Sequence, residues 1–145
     1  MRKLILCLGN EIAGDDGVAI YVAQKLRGKI KGWDIRESNK AGFYLLEDIE
    51  GYDEVIVVDS IIDETGQEGE IVKGEITDGS GGFSPHSLSM GDILKLGHSM
   101  GLYLPQKIKF YAIRIRTPEF GEKISSTVKA SADKLILHLV EMLVK

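Results

Sequence analysis

Three aspartates and one histidine carry side chains suited to chemistry. Asp15 and Asp16 stand together in a loop, Asp59 closes an unbroken apolar run, and His86 follows a proline in Ser84-Pro85-His86-Ser87. Two carboxylates and an imidazole, with no thiolate beside them, form a donor set for a divalent transition metal such as nickel, iron or zinc. With coordination positions left open, the same trio can activate a water or polarise a carbonyl. Each aspartate also has a plainer role. Asp15 or Asp16 can cap the helix that follows, because aspartate satisfies the unpaired N–H groups of a first turn. Asp59 can open an Asx turn. His86 has the strongest claim, since Pro85 constrains its approach in a loop otherwise without features. Glu11, in the same loop as Asp15, is either a further ligand or a solvent-facing charge.

These residues need a scaffold that delivers them to one place. Lys3–Leu8 is apolar at every position from Leu4 onward, as in a strand covered on both faces. After the loop, Val18, Tyr21, Val22 and Leu26 repeat at helical spacing and Gly28 is placed to stop the helix. Residues 33–38 alternate as a more peripheral strand, 43–49 read as a short helix, and 54–60 hold the apolar strand Val55-Ile56-Val57-Val58 ending at Asp59. Residues 70–76 have period two and suit an edge strand or hairpin arm, and 77–85 form a Gly/Ser-rich loop. Ser89-Met90-Gly91-Asp92 opens a helix carried by Ile93, Leu94, Leu96, Gly97 and Met100 as far as Gly101. Residues 107–115 are a strand, and Val128, Ala132, Leu135, Leu139 and Leu143 mark a long closing helix from Ser125. The alternation predicts one domain over residues 1–145, a three-layer α/β/α sandwich with a mostly parallel central sheet of phosphorylase/hydrolase-like type. In such sheets functional groups collect outside the carboxyl ends of the strands. If the two apolar strands are neighbours, Asp16 and Asp59 are brought together there.

Composition narrows the class. Eighteen basic against 22 acidic residues leave a net charge of −4, which argues against a nucleic-acid partner. The single cysteine, Cys7, excludes an internal disulfide, suits a reducing compartment and sits mid-strand as a small hydrophobe. The apolar run after Arg2-Lys3 is too short for a signal peptide, and no segment approaches a membrane span, so a cytoplasmic location without membrane insertion is expected. His98 and His138 fall within helical patterns and, like Trp33, Tyr103 and Tyr111, read as packing residues. Seventeen of 145 residues are glycine, well above the usual share of about 7%. Gly9, Gly14 and Gly17 lie in the Asp15-Asp16 loop, and six more fall between residues 66 and 82, ahead of His86.

Three known arrangements share some of these residues. The receiver domain of response regulators has an acidic pair after its first strand and a phosphoacceptor aspartate after its third, which would be Asp59. It also needs a lysine on a late strand, where this chain has Ile113-Arg114-Ile115-Arg116. Peptidyl-tRNA hydrolase opens with a strand and a motif ending like Leu8-Gly9-Asn10, but its downstream catalytic histidine is missing here. Gly9-Asn10, Asp15-Asp16-Gly17, Val58-Asp59-Ser60 and His86-Ser87-Leu88-Ser89, in this order and over nearly the whole chain, closely resemble the hydrogenase maturation endopeptidases. The departures are Ala19, where the family often has glycine, and residues 115–121.

That resemblance implies removal of the C-terminal extension from a [NiFe]-hydrogenase large-subunit precursor after nickel insertion. It implies that Asp16, Asp59 and His86 are both the metal-contacting and the catalytic residues. The nickel would be presented by the precursor, with no organic cofactor, and Gly9, Asn10, Asp15 and Gly17 would contact the substrate. Both an aspartic-type route and a metal-hydroxide route fit the resemblance. Two other readings stand beside it: a receiver-like domain phosphorylated on Asp59, and a non-enzymatic nickel-binding maturation chaperone.

Overall fold

The computed structural model describes residues 1–10, 14–63, 65–78, 90–118, 121 and 123–144. Its first strand, β1 (Lys3–Leu8), is buried from Leu4 to Leu8, and its apolar side chains alternate between two separate cores. A 3-10 turn (Gly14–Gly17) leads into α1 (Val18–Leu26), and Gly28 beyond it has φ +81, a conformation that favours glycine. There follow β2 (Asp34–Ser38), a second 3-10 turn (Gly42–Leu45) running into α2 (Leu46–Ile49), β3 (Glu54–Ile62), β4 (Ile71–Ile76), α3 (Met90–Ser99), β5 (Ile108–Ile115) and α4 (Ser126–Leu143).

The strands form one sheet in the order β2-β1-β3-β5-β4, parallel except for β4, which runs antiparallel to β5 at the edge. β4 is therefore an edge strand and not a hairpin arm, because α3 intervenes between it and its partner. Helices cover both faces. One core joins α1 and α4 to Ile5, Cys7, Ile56, Val58, Ile113 and Ile115. The other joins α2 and α3 to Leu4, Leu6, Leu8, Val55, Val57, Phe110 and Ala112. The expected three-layer architecture is present.

Three local readings need correction. β3 does not stop at Ser60 but continues to Ile62, because backbone pairing with β5 persists to Ile115 after the apolar run has ended. In α3 the buried stripe is Met90, Ile93, Leu94 and Gly97, while Leu96 and Met100 are exposed. The α3 backbone lies so close to its neighbours that a Cβ at Gly97 would overlap Leu104 and come within 2.9 Å of Leu46. Tyr111 packs edge-on against His138, but Tyr103 is exposed and its hydroxyl donates to Asp53. Among the described residues no helix is long and apolar enough to cross a membrane.

Candidate active site

The chain turns from β1 to one side, through α1 to β2, and then returns to the other side, through α2 to β3. The carboxyl ends of β1 and β3 thus flank the point where strand order reverses, the position at which open α/β sheets bind ligands. The pairing of β1 with β3 ends at Cys7↔Val58, while β3 and β5 continue side by side for four more residues. Asp59 is the first β3 residue beyond that step. It is 3% exposed, it lies within the strand opposite Ala112, and its Oδ1 accepts a 2.8 Å hydrogen bond from the Ser60 N–H. It opens no turn.

Strand alternation sends neighbouring side chains to opposite faces. Asp59 shares the parity of Val55 and Val57 and faces the α2/α3 layer, whereas Ser60 faces the α1/α4 layer. There the Ser60 hydroxyl, wholly buried, donates to Asp16 Oδ1 at 2.8 Å. Asp16 and Asp59 thus approach the sheet's edge from its two faces, both hydrogen-bonded to one serine. Expecting β1 and β3 as neighbours foresaw this meeting. It did not foresee Ser60, which has no signal in the sequence beyond its place after Asp59.

The loop holding Asp16 is closed at its base. The Gly9 N–H donates to the Ser38 carbonyl of β2 at 3.0 Å, and the Asn10 N–H donates to the Asp16 carbonyl at 3.1 Å. A Cβ on Gly9 would overlap that same carbonyl oxygen, so the closure requires glycine there. The backbone features of Gly9 and Asn10 are therefore used in shaping the loop. Gly17 is buried at the start of α1 with φ −84 and ψ 3.

Neither aspartate of the pair caps α1, whose N-cap is Gly17 and has no side-chain hydrogen bond. Asp15 reaches a different helix. Its Oδ1 accepts from the Ser125 N–H at 2.7 Å and its Oδ2 from the Ser125 hydroxyl at 3.2 Å. Ser125 is the N-cap of α4 and lies 3.2 Å from Glu68, which pairs with Arg116. Asp15 thus fastens the loop to α4 from one side while Ser60 holds Asp16 from the other.

His86 and Glu11 lie outside the described residues. Among the described residues no three His, Cys, Asp or Glu side chains are grouped to hold a metal. What Asp16 and Asp59 offer is a pair of hard oxygen donors, which fits a cation whose remaining ligands come from elsewhere. Cys7 is not a rival nucleophile. Complete burial, reinforced by the Glu37 charge, pushes its thiol far above the ordinary range. His98 is engaged with Asp78 through Nδ1 at 2.7 Å. A cavity of about 380 Å³ opens at the amino ends of β3 and β5, between Trp33, Glu54, Lys107 and Leu143, at the opposite end of the sheet from the aspartates.

The topology also separates this chain from receivers, whose sheet order is 2-1-3-4-5. Here the fourth strand is an antiparallel edge, and Arg114 is held by Asp63 and Glu70. The fold matches that of the hydrogenase maturating endopeptidase HybD from E. coli, with a TM-score of 0.75 and 22% identity over 98% of this chain and 94% of that one. It also matches the [NiFe] hydrogenase maturation protease HybD from Thermococcus kodakarensis, with a TM-score of 0.71 and 27% identity over the whole of both chains. A Methanocaldococcus jannaschii protein provisionally named a hydrogenase maturation protease is 30% identical, over 98% of this chain and 88% of that protein. A family model described as hydrogenase maturation protease matches residues 20–142. On this agreement of sequence and fold, the chain belongs to the hydrogenase maturation protease family and is an endopeptidase of hydrogenase maturation.

Proposed function

We propose that this protein removes the C-terminal extension of a [NiFe]-hydrogenase large-subunit precursor once nickel has been inserted. Asp16, Asp59 and His86 contact the nickel that the precursor carries. The observation that supports this reading best is the shared serine: Ser60 binds Asp16 through its hydroxyl and Asp59 through its N–H, which brings two carboxylates to the edge where β1 ends. Bound in the substrate, nickel supplies Lewis acidity toward the scissile carbonyl or an attacking water. One of the two aspartates takes the water's proton, and that proton passes to the amine as the C–N bond breaks. The closed loop keeps Asp16, and β3 keeps Asp59, in place before substrate arrives, so little reorganisation is left for the reaction itself. The reaction belongs in the cytoplasm, which a single unpaired cysteine suits.

Intact mass spectrometry of the precursor tests the proposal. Nickel-loaded precursor mixed with this protein should lose a short C-terminal peptide, and metal-free precursor should keep its mass. Asp16→Asn and His86→Ala should each abolish the loss while retaining the wild-type circular dichroism spectrum. Normal cleavage by both Asp16→Asn and Asp59→Asn would refute the site assignment. Nickel transfer without any mass change would identify a metal carrier instead.

A further inference from the structure

In a parallel sheet, successive residues of a strand aim their N–H and C=O groups alternately at the strands on either side. The Asp63 N–H donates to the Ile115 carbonyl of β5 at 3.1 Å, so Asp59 and Ile61 turn their backbone groups toward β5 as well. Ser60 and Ile62 therefore turn theirs toward the side on which β1 lies. β1 does not reach them. Its pairing with β3 ends at Cys7↔Val58, and beyond Leu8 the chain leans away, Gly9 bonding β2 and Asn10 bonding the Asp16 carbonyl. The Ser60 N–H accordingly donates to its own neighbour, the Asp59 carboxylate, at 2.8 Å. Among the described residues no group is bonded to the Ser60 carbonyl or to the N–H and carbonyl of Ile62, and Ile62 is 45% exposed. Among those residues, then, a short length of strand edge stands open within the sheet, where β1 would have run on.

We propose that the edge Ser60–Ile62 binds the C-terminal tail of the large-subunit precursor as an added β-strand that continues the line of β1. This rests on the proposed function and names how the substrate's backbone is held. An extended chain laid there runs about 4.8 Å from β3. Its own N–H and C=O groups meet the unused ones, which are the carbonyls of Ser60 and Ile62 and the Ile62 N–H. The occupant follows from the carboxylates. Ser60 holds Asp16 through its hydroxyl and Asp59 through its N–H, at the near end of the same edge. From Asp59 to Ile62 is a rise of only about 10 Å, so a peptide bonded to Ile62 passes beside both carboxylates within that length. Hydrolysis at a fixed pair of carboxylates needs the scissile bond extended and held in one register. Strand addition supplies both through main-chain bonds that do not depend on the tail's side chains. A second copy of this chain on the edge would put a folded strand where the substrate's bond must lie.

Binding and cleavage are measured separately. The probe is the nickel-loaded large-subunit precursor from the same organism, its binding titrated and its cleavage read by intact mass. Ile62→Pro deletes the one free donor of the edge and puts a ring in the tail's place. It leaves the β5 ladder whole, because the Ile62 N–H takes no part in it. This variant should weaken Kd about tenfold and hold Tm within a few degrees. Ile62→Thr keeps the N–H and changes only the side chain, and it should leave Kd within twofold. On the precursor, proline replaces each residue of the extension in turn, the first excepted. Every second proline should weaken Kd roughly threefold or more, since only alternate residues of a strand address β3. This scan needs no variant of the enzyme and decides the matter even where Ile62→Pro fails to fold. Equal sensitivity at successive positions, or none, overturns the added strand, as does an equal loss in Ile62→Thr and Ile62→Pro. A wild-type dimer in sedimentation that Ile62→Pro dissolves also overturns it, by making the edge a self-interface. Alternating sensitivity without any change in precursor mass would support the strand and refute the proteolysis, and normal cleavage without alternation would do the reverse.

Discussion

Replacing Ser60 with alanine removes one hydroxyl and isolates what the shared serine does. In the native protein this hydroxyl is wholly buried and donates to Asp16 Oδ1 at 2.8 Å, a hydrogen bond to a charged acceptor. Bonds of that type are worth about 1.5–3 kcal/mol. Asp16 is only half-buried, so water recovers part of the loss, and the lower figure of about 1.5 kcal/mol is the one to carry forward. Ser60→Ala keeps the Asp59 contact, which uses the backbone N–H. If correct placement of Asp16 is needed in the transition state, kcat should therefore fall roughly tenfold. KM should be unchanged, because the wholly buried hydroxyl offers the substrate no contact. The same loss should lower Tm by about 3–6 °C in a domain of this size. Initial rates come from the intact mass of the precursor at several concentrations, and Tm from circular dichroism. A kcat within twofold of wild type would refute the claim that Ser60 positions Asp16. A fall beyond about a thousandfold would make the serine a reacting group and overturn the two-carboxylate assignment.

Other perturbations follow from the same geometry. Gly9→Ala should displace the Asp16 carbonyl, costing about 1–3 kcal/mol of stability and most of the cleavage rate, read by thermal melting and the precursor assay. Cys7 should be silent to a thiol reagent at pH 8 in the native protein and should titrate as one thiol in denaturant; reaction of the folded protein would contradict its burial. The hydrogen bonds from Thr65, with Arg114 adding a smaller effect, hold Asp63 below the usual carboxylate range. A carboxylate lowered by folding stabilises above its unfolded value and loses that contribution as pH falls through its folded one. Asp63→Asn should accordingly flatten the decline of Tm below about pH 4.

Much of the scaffold could be read from side-chain periodicity, because strands buried on both faces announce themselves by unbroken apolar runs. β1 and the first part of β3 did so, and their expected adjacency is present, while Asp16 is placed by further contacts with Ser60 and Asn10. Periodicity fails where backbone pairing outlasts the apolar pattern, as in Asp59–Ile62. It also misassigns exposed apolar residues, since Leu96 and Met100 satisfy a core pattern yet lie at the surface. Contacts made across long stretches of chain leave no local trace. Asp15 looks like a cap for the helix beside it, but its partner is Ser125, 110 residues away. The antiparallel seat of β4 is likewise decided by β5, which the local pattern of residues 70–76 does not contain.

The step at which β1 ends and β3 runs on separates two kinds of change. Asp59 and Ser60 sit on the central strand β3, beyond the end of β1 but still paired with β5. Amides in such strands exchange with solvent only when the whole domain unfolds. Asp59 therefore draws on the stability of the strand, whereas Asp16 depends on the closed loop that Ser60 and Asp15 anchor. A substitution within β3 is thus felt by the whole domain, whereas one that loosens the Asp16 loop displaces a single carboxylate and leaves the sheet standing.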